Sequence, residues 1–196
     1  MAIRVACAYN TVSTNAILVI ASMLPLKQMA NERRAIYEAK RLGLAPSTKS
    51  ELRRESLCEW KKEWQESNTG SWKKRLIQDL QPCVSSSFGT LNYHLMQFLT
   101  GHSCFGNYLM TFMRSDTSIC YDCMDSVDNA EHALFKCDRW WRLRRELEDR
   151  INTEINPETV VKAILKSTKN WRAVTNYVVH VLNIREDERQ RKRQSY

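Results

Sequence analysis

The stretch CYDCMDSVDNAEHALFKC, residues 120–137, brings three cysteines and a histidine together in the spacing Cys120-x2-Cys123-x8-His132-x4-Cys137. Zinc takes four soft or borderline ligands in a tetrahedron, and a CxxC turn directs two thiolates at one point. Four protein ligands leave no open position for water, which is typical of a structural site. The spacing therefore predicts one structural zinc ion per chain. The alternative is a chance cluster of reduced thiols beside a surface histidine.

The last two of these four residues set a geometric condition on the local backbone. His132 and Cys137 are five residues apart, about 140° out of phase on a regular α-helix. The MDSVDN sequence, residues 124–129, lies between Cys123 and His132 and is polar and long enough to fold back. We therefore expect a helix to begin or end between His132 and Cys137.

Charge is the strongest signal outside this segment. The 196 residues carry a net charge of +8 with a pI near 9.2, which suggests a polyanion such as nucleic acid. Residues 27–75 contain 13 Lys and Arg against 7 Glu, a net +6. A solvated basic surface without a ligand is the alternative interpretation.

Basic residues also follow the cysteine segment. Three thiolates and one Zn²⁺ sum to −1, so a phosphate would have to be attracted by the surrounding cations. Trp140 or Trp141 offers an aromatic face on which a base can stack. The alternative is a solvated helix face on which Glu146, Glu148 and Asp149 neutralise the arginines. The candidate nucleic-acid-binding residues are Lys136, Arg139, Trp140, Arg142, Arg144 and Arg145.

Composition predicts a mainly α fold, an irregular helical assembly around one small zinc-binding motif. Glycine and proline are few, at 5 and 4 residues, and Leu, Lys, Arg and Glu are abundant. Pro82 is expected to open a loop, and Asn156 to cap a helix that starts at Pro157. Leu57, Trp60 and Trp64 form one apolar stripe, predicted to be core. Helices are predicted over about 14–23, 26–42, 51–67, 71–80, 90–100, 105–113, 140–151, 157–167 and 171–188, with residues 189–196 frayed.

The other cysteines and the apolar segments suggest a reduced protein that does not enter a membrane. Cys7, Cys58, Cys83 and Cys104 are scattered singly, as expected of small buried side chains and not of a disulfide framework. The longest apolar run, residues 16–26, is about half of what a membrane-spanning helix needs and contains a proline.

Catalytic patterns are weak throughout. No Asp-Asp pair is present for two-metal chemistry, and no Gly-rich phosphate loop occurs. The Glu-x-Lys matches at 38–40 and 59–61 lie in helical, Lys-rich sequence. His94 and His102 flank an apolar helix, where capping or core roles are favoured. We predict no catalytic residue in this chain.

Longer stretches resemble a known family. RVACAYNTVSTNAILVIASMLPLKQMANERRAIY, residues 4–37, resembles the region just downstream of the reverse transcriptase in arthropod non-long-terminal-repeat retrotransposons, nearest to the type-one elements that insert into ribosomal RNA genes. WKKRLIQDLQPCV and NYHLMQFLTGHSCFGNYLMTF resemble the next block of the same polyproteins. The Cys-Cys-His-Cys segment stands where those proteins carry a C-terminal zinc motif. Met124 occupies the position after CxxC where that family often has glycine.

The resemblance implies the C-terminal part of a Pol polyprotein. The parent would nick DNA and copy RNA with Mg²⁺, using catalytic acids upstream of this chain, and would act in the nucleus after cytoplasmic synthesis. Residues 1–45 would finish the reverse transcriptase thumb or connector, with their apolar face over 16–36 exposed or loosely packed. The other implied regions are a basic helical region, 46–115, the zinc motif and its following helix, 116–150, and C-terminal helices with a basic tail, 151–196.

Two functions remain open from the sequence. The first is a module that grips template RNA or target DNA beside the upstream reverse transcriptase. The second is a zinc-stabilised helical module that contacts protein and not nucleic acid. The salt dependence of binding distinguishes them, because each neutralised phosphate steepens the log–log slope.

Overall fold

The computed structural model describes residues 11–45, 48–67, 70–85 and 91–194, and these residues confirm the mainly α fold. Within them no β-strand forms; an isolated antiparallel bridge joins Ile119 to Val127. None of the described helices is long and apolar enough to cross a membrane. The helices are α1 Thr14–Ile20, α2 Leu26–Arg41, α3 Lys49–Glu66, α4 Ser71–Leu76, α5 Leu80–Ser85, α6 Tyr93–Thr100, α7 Gly106–Met110, α8 Trp141–Ile151, α9 Val160–Ile164 and α10 Thr168–Gln194, with a π-helical turn at His132–Lys136 and a 3₁₀ turn at Asp138–Trp140.

Helices α1, α2, α3 and α5 form the first part of the fold, and α4 contacts α6 in the second part. Helix α2 pairs with α3, and α5 contacts both α1 and α3. Trp60 and Trp64 are buried, and the Trp64 indole donates a hydrogen bond to the Ile77 carbonyl at 3.2 Å. The predicted core stripe on α3 is therefore confirmed for its two tryptophans.

The expectation of an exposed apolar face over residues 16–36 is wrong for α1. Ile17, Val19 and Ile20 are buried, because α5 covers this helix. Helix α2 behaves as expected, since only Gln28 is buried there and Leu26 is 82% exposed.

Helix α10 is the scaffold of the second part. It contacts α6, α8 and α9, and its stripe of Val174, Val178 and Val181 is buried as the spacing predicts. The Tyr177 hydroxyl donates to the Leu134 carbonyl at 2.6 Å, which joins α10 to the π-helical turn. The cysteine-rich segment is therefore held against this helix.

Several local predictions are wrong. Pro82 lies inside α5, in the first turn, where its missing N–H removes no helical bond. Asn156 caps a turn, accepting from the Glu158 and Thr159 amides, but α9 begins only at Val160. Residues 189–196 are predicted to be frayed, but the last helix continues to Gln194.

The isolated cysteines differ in exposure. Cys58 is exposed, whereas Cys104 is buried as expected. Cys7 and the predicted loop residues 86–89 lie outside the described residues.

Candidate metal centre

The four residues picked out by their spacing converge. The ligand atoms of Cys120, Cys123, His132 and Cys137 all lie within 4.8 Å of one another. Cys123 Sγ is 3.3 Å from His132 Nε2, and Cys120 Sγ is 4.0 Å from Cys137 Sγ. Tetrahedral ligands at a metal–sulfur distance of about 2.3 Å are separated by about 3.8 Å. The cluster therefore has the size and donor set of a four-coordinate metal site.

The CxxC half of the site is a tight backbone loop. The Cys120 amide donates to the Ser126 carbonyl at 2.8 Å, and the Asp128 amide donates to the Ser118 carbonyl at 2.7 Å. Met124 turns the chain with φ of 56°, in the left-handed region that favours glycine. The family resemblance places a glycine at this position, so the CxxC loop forms here with a methionine in a strained conformation.

The second half is positioned by a cap and a π-helical turn. Asn129 Oδ1 accepts from the His132 amide at 2.8 Å, which fixes the start of the turn. The Cys137 amide then donates to the His132 carbonyl at 2.8 Å, an i→i+5 bond. The predicted helix end between the two ligands is confirmed, and the wider π turn is how both side chains reach one point.

Burial and backbone hydrogen bonds shift the pKa values of three of the four candidate ligands. Cys120, His132 and Cys137 are buried, and Cys123 is half-buried. Burial raises the pKa of the Cys137 thiol to about 12 and lowers the pKa of His132. Backbone hydrogen bonds, the Asp125 amide foremost, lower the pKa of Cys123. The environment favours a neutral imidazole ligand, and a coordinated cation would supply the charge that deprotonates the buried thiols.

A network of ion pairs surrounds the cluster. Asp122, inside the CxxC loop, accepts from Arg139 and, at 3.3 Å, from Arg185 Nη1. Arg139 also pairs with Glu188 on α10. Arg185 reaches on to Asp128, which is fully buried. The loop is therefore tied to α10 by charges as well as by packing.

This network places several predicted nucleic-acid-binding residues in structural contacts. Arg139 is neutralised by two carboxylates, and its guanidinium lies 4.5 Å from the Trp140 ring centroid. Trp140 is only 4% exposed, so it has no free face for a base. Arg144 Nη1 donates to the Cys137 carbonyl at 3.4 Å. These three residues support the metal site and α8.

The remaining candidates are exposed on or beside α8. Trp141 is 51% exposed, and the Arg142 guanidinium lies 5.8 Å from its ring centroid. Arg145 is exposed and pairs with Glu148 at 3.3 Å. Trp141, and not Trp140, is therefore the accessible aromatic residue of this pair.

Lys136 joins a second group of charges that sequence reasoning missed. It pairs with Glu131 at 2.8 Å, and the same carboxylate accepts from Arg75 at 2.6 Å. Arg75 also bonds to Glu158 at 2.9 Å. Arg75 is 56 residues from Glu131 in the chain, so no local pattern could have connected them.

Fold and site together define a mainly helical protein with a Cys₃His motif close enough to hold a metal ion. No protein-family model and no solved structure matches the chain. Among curated proteins it is 23% identical, over 199 residues, to the retrovirus-related Pol polyprotein from type-1 retrotransposable element R1 2 of Nasonia vitripennis. The alignment covers 93% of this chain and 48% of that protein, so the chain spans about half of the relative's length. The similarity supports a retrotransposon-related origin.

Proposed function

We propose that this chain is a zinc-stabilised, nucleic-acid-binding region from the C-terminal part of a retrotransposon Pol polyprotein. The observation that carries the proposal is the Cys₃His cluster immediately before α8. Trp141 and Arg142 are exposed at the start of that helix, and the chain has a net charge of +8. The similarity to a Pol polyprotein over 93% of the chain supports the retrotransposon part.

Zinc is the metal that best suits this donor set. Three thiolates and one imidazole are soft to borderline ligands, which bind Zn²⁺ in closed tetrahedral structural sites. Cys120, Cys123, His132 and Cys137 would hold it. The metal's role is to join the CxxC loop to the π-helical turn and thereby to fix the start of α8.

The binding surface is then a basic one oriented by the metal site. Trp141 supplies a face for base stacking, and Arg142, Arg145 and Lys136 supply charge for phosphates. Arg145 and Lys136 each have an acidic neighbour, at 3.3 and 2.8 Å. The two cations are themselves well exposed, at 69% and 64% of the side chain, so each can contact a phosphate while it remains beside its carboxylate.

The activities of the whole polyprotein are part of the same proposal. RNA-directed DNA synthesis, with Mg²⁺, and target-DNA nicking would belong to other parts of the parent protein. This region would hold template RNA or target DNA next to the reverse transcriptase in the nucleus.

The experiment is a salt titration of RNA and DNA binding by the zinc-loaded chain. Wild type is compared with Arg142→Gln/Arg145→Gln, and a matched control, Lys166→Gln/Lys169→Gln, removes two exposed cations outside α8. The α8 variant is expected to lower the slope of log K against log salt by about 1 to 2, since each phosphate contact contributes about 0.7 to 0.9. Equal slopes for wild type and the α8 variant would exclude this surface as the site of phosphate contact.

A protein-interaction module is the second candidate, and one observation favours it. Met110, Phe112 and Met113 are exposed around the end of α7, and Met113 is 97% exposed. Exposed apolar patches often mark protein interfaces. Binding that is nearly independent of salt and is lost on Phe112→Ser would favour this candidate over nucleic acid.

A further inference from the structure

A lysine near the start of α4 is buried without a counter-ion. Lys73 is 6% exposed, and no carboxylate in the described part of the chain pairs with it. Burial lowers the pKa of Lys73. Its neighbour Lys74 differs, because its ammonium donates to backbone carbonyls such as that of Gln65. Lysine side chains are rarely this buried unless their charge is paired, so an anion that enters the adjoining pocket would be favoured beside Lys73.

Lys73 lines a pocket with a volume of about 530 Å³. The walls are α4, the end of α6, α7 and residues 129–131. Trp72, whose indole donates to the Phe98 carbonyl at 3.0 Å, forms an apolar side. This volume lies within the usual range for small-ligand sites. The uncharged polar side chains that line it are Ser71, Thr100, His102, Asn107, Tyr108, Thr111 and Asn129, and the Glu131 carboxylate also lines it.

The charges around the pocket do not balance. Arg75 and Lys136 share Glu131, and Arg75 also holds Glu158, so these two cations are matched by two carboxylates. Among the described residues that line this pocket, Lys73 has no carboxylate partner, so its positive charge is not compensated. Burial, followed by the charge of Lys73, lowers the pKa of His102 to about 4, so His102 adds no charge at neutral pH.

We propose that this pocket binds a phosphate group, with Lys73 as its counter-ion and Arg75 at its edge. A phosphate presents several acceptor oxygens, which suit an ammonium surrounded by hydroxyl and amide side chains. The inference rests on the proposed function, because the phosphate is taken to be that of a nucleic-acid strand. A free nucleotide offers the same group and is the other source.

The pocket is connected to the metal centre. Asn129, in the pocket wall, accepts the hydrogen bond that starts the His132 turn, and Glu131 precedes that ligand directly. A bound metal would therefore fix one wall of the phosphate pocket. Removal of the metal is expected to weaken phosphate binding as well as binding at α8.

The test uses calorimetric titration of the full chain with inorganic phosphate, uridine 5′-monophosphate and a short single-stranded RNA. Lys73→Met keeps the packed methylene stem and removes the charge, so the variant is expected to remain folded. Lys62→Met, at an exposed position on α3, is the matched control. Lys73→Met is expected to weaken nucleotide and RNA binding about tenfold or more, and Lys62→Met less than about twofold.

A second readout does not depend on the variant. Phosphate beside Lys73 offsets the charge that lowers the pKa of His102, so adding phosphate to wild type is expected to raise that pKa in an NMR titration. If Lys73→Met leaves RNA binding unchanged and phosphate does not change the pKa of His102, the phosphate-binding proposal is wrong and the proposed function still stands. Lys73-dependent nucleotide binding by a chain that binds no RNA would support the pocket and overturn the proposed function.

Discussion

The buried carboxylate of Asp128 binds both the backbone and α10: its Oδ2 accepts from the Gly106 amide at 2.7 Å, and its Oδ1 accepts from Arg185, 57 residues further along the chain. Arg185 also reaches Asp122 in the CxxC loop at 3.3 Å. This arginine therefore joins α7, the metal loop and α10. It is itself buried, so the pairing is not exchangeable with solvent as a surface ion pair is.

Replacing Arg185 is expected to be strongly destabilising. Arg185→Met leaves the Asp128 charge buried and unpaired, which costs about 3–5 kcal/mol of unfolding free energy. Arg34→Met removes an arginine from its pair with Glu38, in which both side chains are exposed, and is expected to cost less than about 1 kcal/mol. Chemical denaturation of both variants checks the comparison. Equal losses would show that the Arg185 network contributes no more than a surface pair.

Met124→Gly is expected to stabilise the chain. Met124 has φ of 56° and is exposed, so glycine relieves left-handed strain of about 1–2 kcal/mol without loss of packing, less the entropy that glycine adds to the unfolded chain. Glu55→Gly, at an exposed position in the middle of α3, is the control and is expected to destabilise by about 0.5–1 kcal/mol. Thermal unfolding of the zinc-loaded proteins measures both. A lower unfolding temperature for Met124→Gly than for wild type would contradict the interpretation that Met124 is strained.

Substitutions of the two adjacent tryptophans are expected to have different effects, one on stability and the other on RNA binding. Trp140→Ala removes a buried ring and is expected to cost about 3–5 kcal/mol. Trp141→Ala is expected to change stability by less than about 1 kcal/mol but to weaken single-stranded RNA binding by about 1–3 kcal/mol per stacked base. Parallel denaturation and RNA titration check this. Unchanged RNA affinity in folded Trp141→Ala would remove the stacking role.

His102 is expected to make stability depend on pH. Its pKa is about 4 in the folded chain, because of burial and then Lys73, against about 6.5 in the unfolded chain. The unfolded chain therefore binds the proton more readily, and this contribution to stability is complete above pH 6.5 and lost as pH falls towards 4. Wild type is expected to lose more stability than His102→Asn between about pH 7 and pH 5.5, measured by denaturant unfolding. Identical losses would contradict the burial of His102.

Sequence patterns were most informative where structure is local. The ligand spacing, the α3 tryptophans and the extent of α2, predicted over 26–42 and observed over Leu26–Arg41, all follow from short-range sequence patterns. Contacts between distant parts of the chain were invisible, such as Arg75 with Glu131 and Asp128 with Arg185. Trp140 and Trp141 show the limit clearly: a 3₁₀ turn before α8 decides which ring is buried, and composition cannot.

The most direct test of the account is the zinc content of the purified chain, measured by elemental analysis beside hydrogen exchange. Wild type is compared with Cys137→Ser and with Cys58→Ser, an exposed cysteine outside the cluster. One zinc per chain is expected in wild type and in Cys58→Ser. Cys137→Ser is expected to lose tight zinc binding and amide protection across residues 118–151, since structural zinc contributes about 10–16 kcal/mol in such sites. A wild-type chain without zinc, with Cys137→Ser folded and protected as wild type is, would contradict the account.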